Sequence, residues 1–138
     1  MFTGEYRHAV DDKGRIAVPS RFRAQLAGNV VVARWMDSCL AIFPVAAWEE
    51  LAAKLAGLPM TDPNARLLQR QLFAGAFETE LDRQGRVLIP NQLRSFAGLD
   101  GQVVLVGIGE GIEIWNAAGW QKAREEEEAE FNRSLGAE

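Results

Sequence analysis

Polar and apolar residues first fall into a period of two. Tyr6, His8 and Val10 alternate with Arg7 and Ala9, the pattern of a strand with one face turned inward. Asp11-Asp12-Lys13-Gly14 interrupts it with residues that favour a tight turn, the glycine supplying backbone freedom that a side chain would deny. Arg15-Ile16-Ala17-Val18 resumes the alternation with Ile16 and Val18 on one face. Pro19 ends it, because proline has no N–H to give to a ladder. A short helix is expected at Ser20-Arg21-Phe22-Arg23, with Ser20 as its N-cap. Two further strands, around Val30-Val31-Val32 and Leu40-Ala41-Ile42-Phe43, complete the unit. The period then changes. Trp48, Leu51, Ala52 and Leu55 lie at helical spacing and predict an amphipathic helix stopped by Gly57 and Pro59. Asp62-Pro63 predicts the next helix, with Asp as N-cap and Pro at the first helical position, running through Leu67, Leu68 and Leu72.

The strand–turn–strand pattern then returns. Residues 4–23, GEYRHAVDDKGRIAVPSRFR, align with residues 75–94, GAFETELDRQGRVLIPNQLR, at an offset of 71. Six positions are identical: Gly4/Gly75, Asp11/Asp82, Gly14/Gly85, Arg15/Arg86, Pro19/Pro90 and Arg23/Arg94. Tyr6/Phe77, Val10/Leu81, Ile16/Val87, Val18/Ile89 and Phe22/Leu93 change only within a physical class, and Asn91 takes the capping place of Ser20. Past one small length change, Val30-Val31-Val32 resembles Val103-Val104-Leu105, and Leu40-Ala41-Ile42-Phe43 resembles Ile112-Glu113-Ile114-Trp115. Trp48 falls opposite Trp120, which favours packing of helix on sheet for both. A last helix is expected from Ala117 into a Glu-rich tail, fraying near Gly136. The chain thus divides into a first module over 1–50, a helical connection over 51–73, a second module over 74–121 and an acidic helical tail over 122–138.

Of the 138 residues, 48% are hydrophobic and 25% charged, the balance of a folded chain rather than a disordered one. The net charge of −4 taken alone argues against a polyanionic partner. Its distribution changes that. Met1 to Arg34 carries six Lys or Arg against three Asp or Glu, whereas Lys122 to Glu138 carries three against six. The acidity is gathered in the tail, and the front can present a basic surface. Cys39, the only cysteine, lies beside Leu40, Ala41 and Ile42 and reads as a small buried hydrophobe. With His8 the only histidine, no metal site is expected. No apolar run approaches the roughly 20 residues that span a bilayer. Met1-Phe2-Thr3-Gly4-Glu5-Tyr6 does not read as a signal peptide, so a cytoplasmic location is expected. Gly107-Ile108-Gly109-Glu110-Gly111 lacks the spacing of a nucleotide-binding loop and is expected to be an inter-strand turn.

The candidate chemistry sits in the two turns, which share the pattern Asp-x-x-x-Arg. The first copy places Lys13 and Arg15 beside Arg7 and His8; the second places Arg83 and Arg86 near Gln84. An Arg just after a hairpin turn projects from a stiff ribbon, and such ribbons fit the DNA major groove, where Arg can bond to O6 and N7 of guanine. Lys13 and Arg83 suit phosphate contacts. Asp11 and Asp82 suit a scaffold role with Gly14 and Gly85, either accepting backbone N–H groups within the turn or orienting the following Arg. A surface turn with a plain salt bridge gives the same spacing, so the residues alone leave DNA binding and a purely structural hairpin both open. No catalytic constellation, cofactor or small-molecule substrate is expected.

The opening repeat, the middle segment PMTDPNARLLQRQLFAGAFETELDRQGRVLIP and GIEIWNAAGW together resemble the MraZ family of the wider SpoVT–AbrB superfamily, from Met1 to about Trp120. The resemblance implies an α+β fold of duplicated AbrB-like swapped-hairpin β-barrel modules, forming an intrachain pseudo-dimer with peripheral helices. It implies a nucleoid-associated, sequence-specific transcriptional regulator, with repression the expected outcome. Such a regulator binds repeated G-rich boxes in the promoter of the division and cell-wall gene cluster. It implies Arg15 and Arg86 as DNA-contacting residues, double-stranded DNA as partner, and homo-oligomers closed into rings. Of the cations, Arg7, Lys13 and Arg15 are expected to dominate. A protein-interaction scaffold on the same fold is the competing function.

Overall fold

The computed structural model describes residues 1–136. Eight strands and five α-helices follow one another as β1 (Glu5–Ala9), β2 (Arg15–Ala17), α1 (Ser20–Arg23), β3 (Asn29–Arg34), β4 (Leu40–Pro44), α2 (Val45–Ala56), α3 (Pro63–Ala74), β5 (Phe77–Glu80), β6 (Arg86–Leu88), α4 (Asn91–Ala97), β7 (Gln102–Gly107), β8 (Ile112–Asn116) and α5 (Ala117–Gly136). The chain is an α+β protein whose strand pairs are antiparallel.

The pairing crosses between the repeats. Six strands form one sheet in the order β1-β7-β8-β4-β3-β5, and β2 and β6 form a separate two-stranded ribbon. Thus β1 of the first repeat pairs with β7 of the second, and β5 of the second pairs with β3 of the first. Exchanging β1 with β5, β3 with β7 and β4 with β8 returns the same order, so the sheet has an internal two-fold relation. Where the repeats meet, matching residues face each other: Ile16 opposite Val87 in the ribbon, and Ala41 opposite Glu113 between β4 and β8.

The alternation of side chains explains the layers. Ile16, Val18, Phe22, Val30, Val32, Leu40 and Ile42 of the first repeat merge with Val87, Ile89, Leu93, Val103, Leu105, Ile112 and Ile114 of the second into one core between ribbon and sheet. On the other sheet face, Val104, Trp115, Trp120 and Cys39 form a second cluster beneath the root of α5. Trp48 of α2 packs there against Phe43, with ring centroids 6.1 Å apart, and against Phe73 of α3 at 6.3 Å. Cys39 is buried, at 1% exposure, and burial pushes its thiol pKa up. The segment 108–111 is the turn between β7 and β8.

Two local expectations need correction. Ser20 and Asn91 do not cap their helices; Pro19 and Pro90 hold the cap positions in extended conformation, with no side-chain cap bond, so Ser20 and Asn91 are the first helical residues and each helix begins one residue earlier than expected. The Asn91 side chain instead accepts from Arg94. At α3 the cap is as expected: Asp62 accepts from the Asn64 N–H at 2.9 Å and Pro63 opens the helix. No helix among the described residues is long and apolar enough to cross a membrane.

Candidate nucleic-acid interface

Each turn is built around its aspartate. Asp11 Oδ1 accepts the N–H groups of Lys13 and Arg15, both at 2.9 Å, and its Oδ2 accepts Nε of Arg15 at 2.8 Å. Asp82 repeats this on Gln84, Arg86 and the Arg86 Nε, with the same distances. Both roles open from the spacing, turn acceptor and arginine orienter, are therefore filled by one carboxylate. The Arg15 N–H, then its guanidinium and the Lys13 N–H, hold the Asp11 carboxyl at about 2, below its ordinary 3.8. At Asp82 the Arg86 N–H, with its guanidinium and the Gln84 N–H, likewise holds the carboxyl below its ordinary value. Among the described residues, Arg15 and Arg86 use only Nε in these bonds, leaving the terminal nitrogens without an intrachain hydrogen bond.

The ribbon sets where these arginines stand. Ile16 and Val87 point into the core, so Arg15, Ala17, Arg86 and Leu88 share the outer face. Arg15 lies opposite Leu88 and Arg86 opposite Ala17. The two arginines are thus diagonal neighbours, with Cα atoms roughly 8 Å apart for ordinary antiparallel geometry. Leu88 between them is 50% exposed. Lys13 and Arg83 stand exposed on the turns at the two ends of the ribbon. They are not repeat partners: Lys13 matches Gln84 and Arg83 matches Asp12.

Arg7 is elsewhere. It pairs across from Val104, so strand alternation puts it on the α5 side of the large sheet, 3.9 Å from Glu5 and not beside Arg15. His8, one residue on, turns to the core side across from Val103 and is partly buried.

Two repeat-invariant arginines outside the expected set complete the turns. Gly14 and Gly85 have φ of +84° and +77°, which a side chain rarely adopts. A Cβ on Gly14 would lie 1.9 Å from the Arg94 guanidinium, and one on Gly85 would lie 2.2 Å from Nε of Arg23. Each turn is therefore roofed by the arginine of the opposite repeat. Arg23 is further fixed by donating from Nε to the Val18 carbonyl at 2.9 Å, and backbone bonds from Ile89 N–H to the Gly14 carbonyl and from Val18 N–H to the Gly85 carbonyl tie each turn to the other repeat. The shared identities of Gly14/Gly85 and Arg23/Arg94 were the signal for this contact.

The arrangement is a two-fold pair of fixed, outward-facing cations on a narrow ribbon. Chains of similar sequence are known. The family model described as "MraZ protein, putative antitoxin-like" matches residues 1–71 and again 72–136. The chain is 51% identical over 121 residues to the transcriptional regulator MraZ of Roseiflexus castenholzii, a match covering 88% of this chain and 85% of that protein. To the protein of that name from Moorella thermoacetica it is 47% identical over 122 residues, with the same coverage. To that of Desulforamulus reducens it is 43% identical over 133 residues, covering 96% of this chain and 94% of the relative. With both repeats matched in order, the chain belongs to the MraZ family.

Proposed function

We propose that this chain is a transcriptional regulator that binds double-stranded DNA in a sequence-specific way through the outer face of the β2–β6 ribbon. The observation that carries the reading is the pair Arg15 and Arg86, each held at Nε by its own aspartate while its terminal nitrogens stay unbonded among the described residues. A guanidinium fixed at one edge presents the other as a planar fork, the geometry that meets O6 and N7 of guanine. A separation of roughly 8 Å spans two to three base-pair steps at about 3.4 Å each, so both forks can address neighbouring bases in one major groove. Leu88 between them offers the apolar contact that a thymine methyl accepts. Lys13 and Arg83, at the ribbon ends, are assigned to phosphates, where they set register without reading sequence. Arg7 is assigned at most a peripheral phosphate contact.

The finer reading follows the family likeness. The relatives carry the name of transcriptional regulator. We extend this to G-rich boxes upstream of the division and cell-wall genes, to repression, and to a nucleoid-associated protein of the cytoplasm. The two repeats serve as an AbrB-like intrachain pseudo-dimer of swapped-hairpin barrels, with modules over 1–50 and 74–121, the connection 51–73 and the tail 122–138. Homo-oligomeric rings would let several modest ribbons act together, linked sites gaining avidity without a strongly basic monomer.

The test is fluorescence anisotropy at near-physiological salt with a duplex from upstream of the chain's own gene and a shuffled duplex. Arg15→Ala is expected to weaken binding to the native duplex by roughly 1–3 kcal/mol and to leave the shuffled duplex nearly unchanged. Equal loss on both duplexes would refute base reading by Arg15. No preference in the unmodified chain would favour a protein-interaction scaffold.

A further inference from the structure

The backbone of the β2–β6 ribbon is two-fold, but its outer face is not. Ile16 stands opposite Val87 at the centre, with Arg15 opposite Leu88 on one side and Ala17 opposite Arg86 on the other. Exchanging the repeats carries Arg15 onto Arg86 and Ala17 onto Leu88. The aspartate clamps obey that exchange, with the same acceptors and distances at both turns. The apolar residues beside the arginines do not. Leu88 is 50% exposed, whereas Ala17 ends at its Cβ and is partly buried.

The ribbon tips differ as well. Asp12 and Lys13 stand exposed at the first, Arg83 and Gln84 at the second. Asp12 offsets Lys13, while Arg83 stands beside a neutral neighbour. These tips are assigned to phosphates, which are chemically alike at both ends of any duplex. Their difference changes affinity and cannot tell one base from another. Within the ribbon, the difference that can read sequence is therefore Leu88 against Ala17. Side chains directly opposed across an antiparallel pair have Cβ atoms roughly 4.5–5.5 Å apart. Leu88 thus reaches into the groove beside the base that Arg15 addresses, while Ala17 leaves a gap beside the base that Arg86 addresses. The apolar group that a base presents in the major groove is the C5-methyl of thymine.

We propose that Leu88 is a specificity-determining residue that makes the two halves of the recognised box unequal. A thymine is selected beside the base read by Arg15, and no such selection is made beside the base read by Arg86. A chain with a two-fold backbone then recognises a box without two-fold symmetry, and two arginines of equal geometry address non-equivalent bases. This rests on the DNA reading above and deepens it.

The test uses the full chain and the upstream duplex, with each thymine position in turn replaced by deoxyuridine, which pairs as thymine does and lacks only the methyl. The unmodified chain is expected to lose roughly four-fold in affinity, the worth of about one buried methyl group, at a thymine on one side of the box centre, with no matching loss on the other. Leu88→Ala should weaken binding to the native duplex by a similar factor and abolish the further loss on deoxyuridine. Leu88→Met should keep that loss. Leu88 lies outside the core, so both variants are expected to melt as the unmodified chain does. Equal binding of native and shuffled duplexes by the unmodified chain would overturn the DNA reading and this inference with it. A preference for the native duplex with no thymine sensitive to its methyl would overturn the Leu88 assignment alone. So would a deoxyuridine loss that Leu88→Ala leaves in place. Paired losses on both sides of the centre would overturn the inequality of the halves.

Discussion

Asp11 and Asp82 act on the geometry of their turns. The Asp11–Arg15 and Asp82–Arg86 pairs are partly exposed, at 2.8 Å, and solvent screening leaves such pairs little weight in stability. Their effect is geometric: they fix an arginine that solvent would otherwise let roam. Because the Asp11 pKa is depressed on folding, its contribution is complete above the unfolded value near ~3.9 and is lost as pH falls through about 2. The amide resonances of Lys13 and Arg15, followed from about pH 5 downward, should shift with a midpoint near 2; a midpoint at the ordinary carboxylate value would mean that the clamp does not form. Gly14→Ala and Gly85→Ala should each lower stability by about 1–2 kcal/mol, the cost of a side chain in left-handed backbone. Denaturant titration would read this, and an unchanged midpoint would contradict it. Arg23 and Arg94 mark the limit of reading residues in sequence. Their identity between repeats was visible, but their place above Gly85 and Gly14 depends on how the repeats pair.

Elements were legible where a local rule sufficed. The period-two stretches, the Asp-to-Gly turns and the Asp62-Pro63 helix start each carry their cause within a few residues. Replacing Asp62 with Ala should therefore cost about 1 kcal/mol by leaving the Asn64 N–H without its acceptor, measurable by thermal or denaturant melting; no change would mean that solvent serves that N–H equally well. Helix starts after proline were less legible. Ser20 and Asn91 are good capping types, but the extended backbone of Pro19 and Pro90 takes the cap place first. Helix α2 likewise begins at Val45, ahead of the apolar stripe at Trp48, because Pro44 ends β4 directly before it. Arg7 lies apart from Arg15 for a different reason. Nearness in sequence suggested a cluster with Arg15, while alternation on β1 turns it to the opposite sheet face. The ribbon itself is short, and its hold on the core is Ile16 and Val87, both at 0% exposure. Ile16→Ala should cost about 2–5 kcal/mol, a loss that denaturant titration would show as an earlier unfolding midpoint.

At the scale of the whole molecule the repeat was plain in the sequence, while an exchange between the copies was expected only from the family resemblance and not from the residues themselves. Offset alignment reveals copies; it does not say whether each copy closes on itself. Here β1 needs β7, β5 needs β3, and β2 needs β6, so one core serves both repeats. The same exchange sets the two arginines on one ribbon face, since each comes from a different repeat. The proposed function is that this face reads DNA. The most direct measurement is anisotropy of the upstream duplex with Arg15→Ala, Arg86→Ala and Lys13→Ala beside the unmodified chain, each also run on the shuffled duplex across a salt series. Each arginine change is predicted to shrink the preference for the native duplex and the two combined to abolish it, while Lys13→Ala weakens both duplexes alike and flattens the salt dependence. A preference that survives loss of both Arg15 and Arg86 would contradict it.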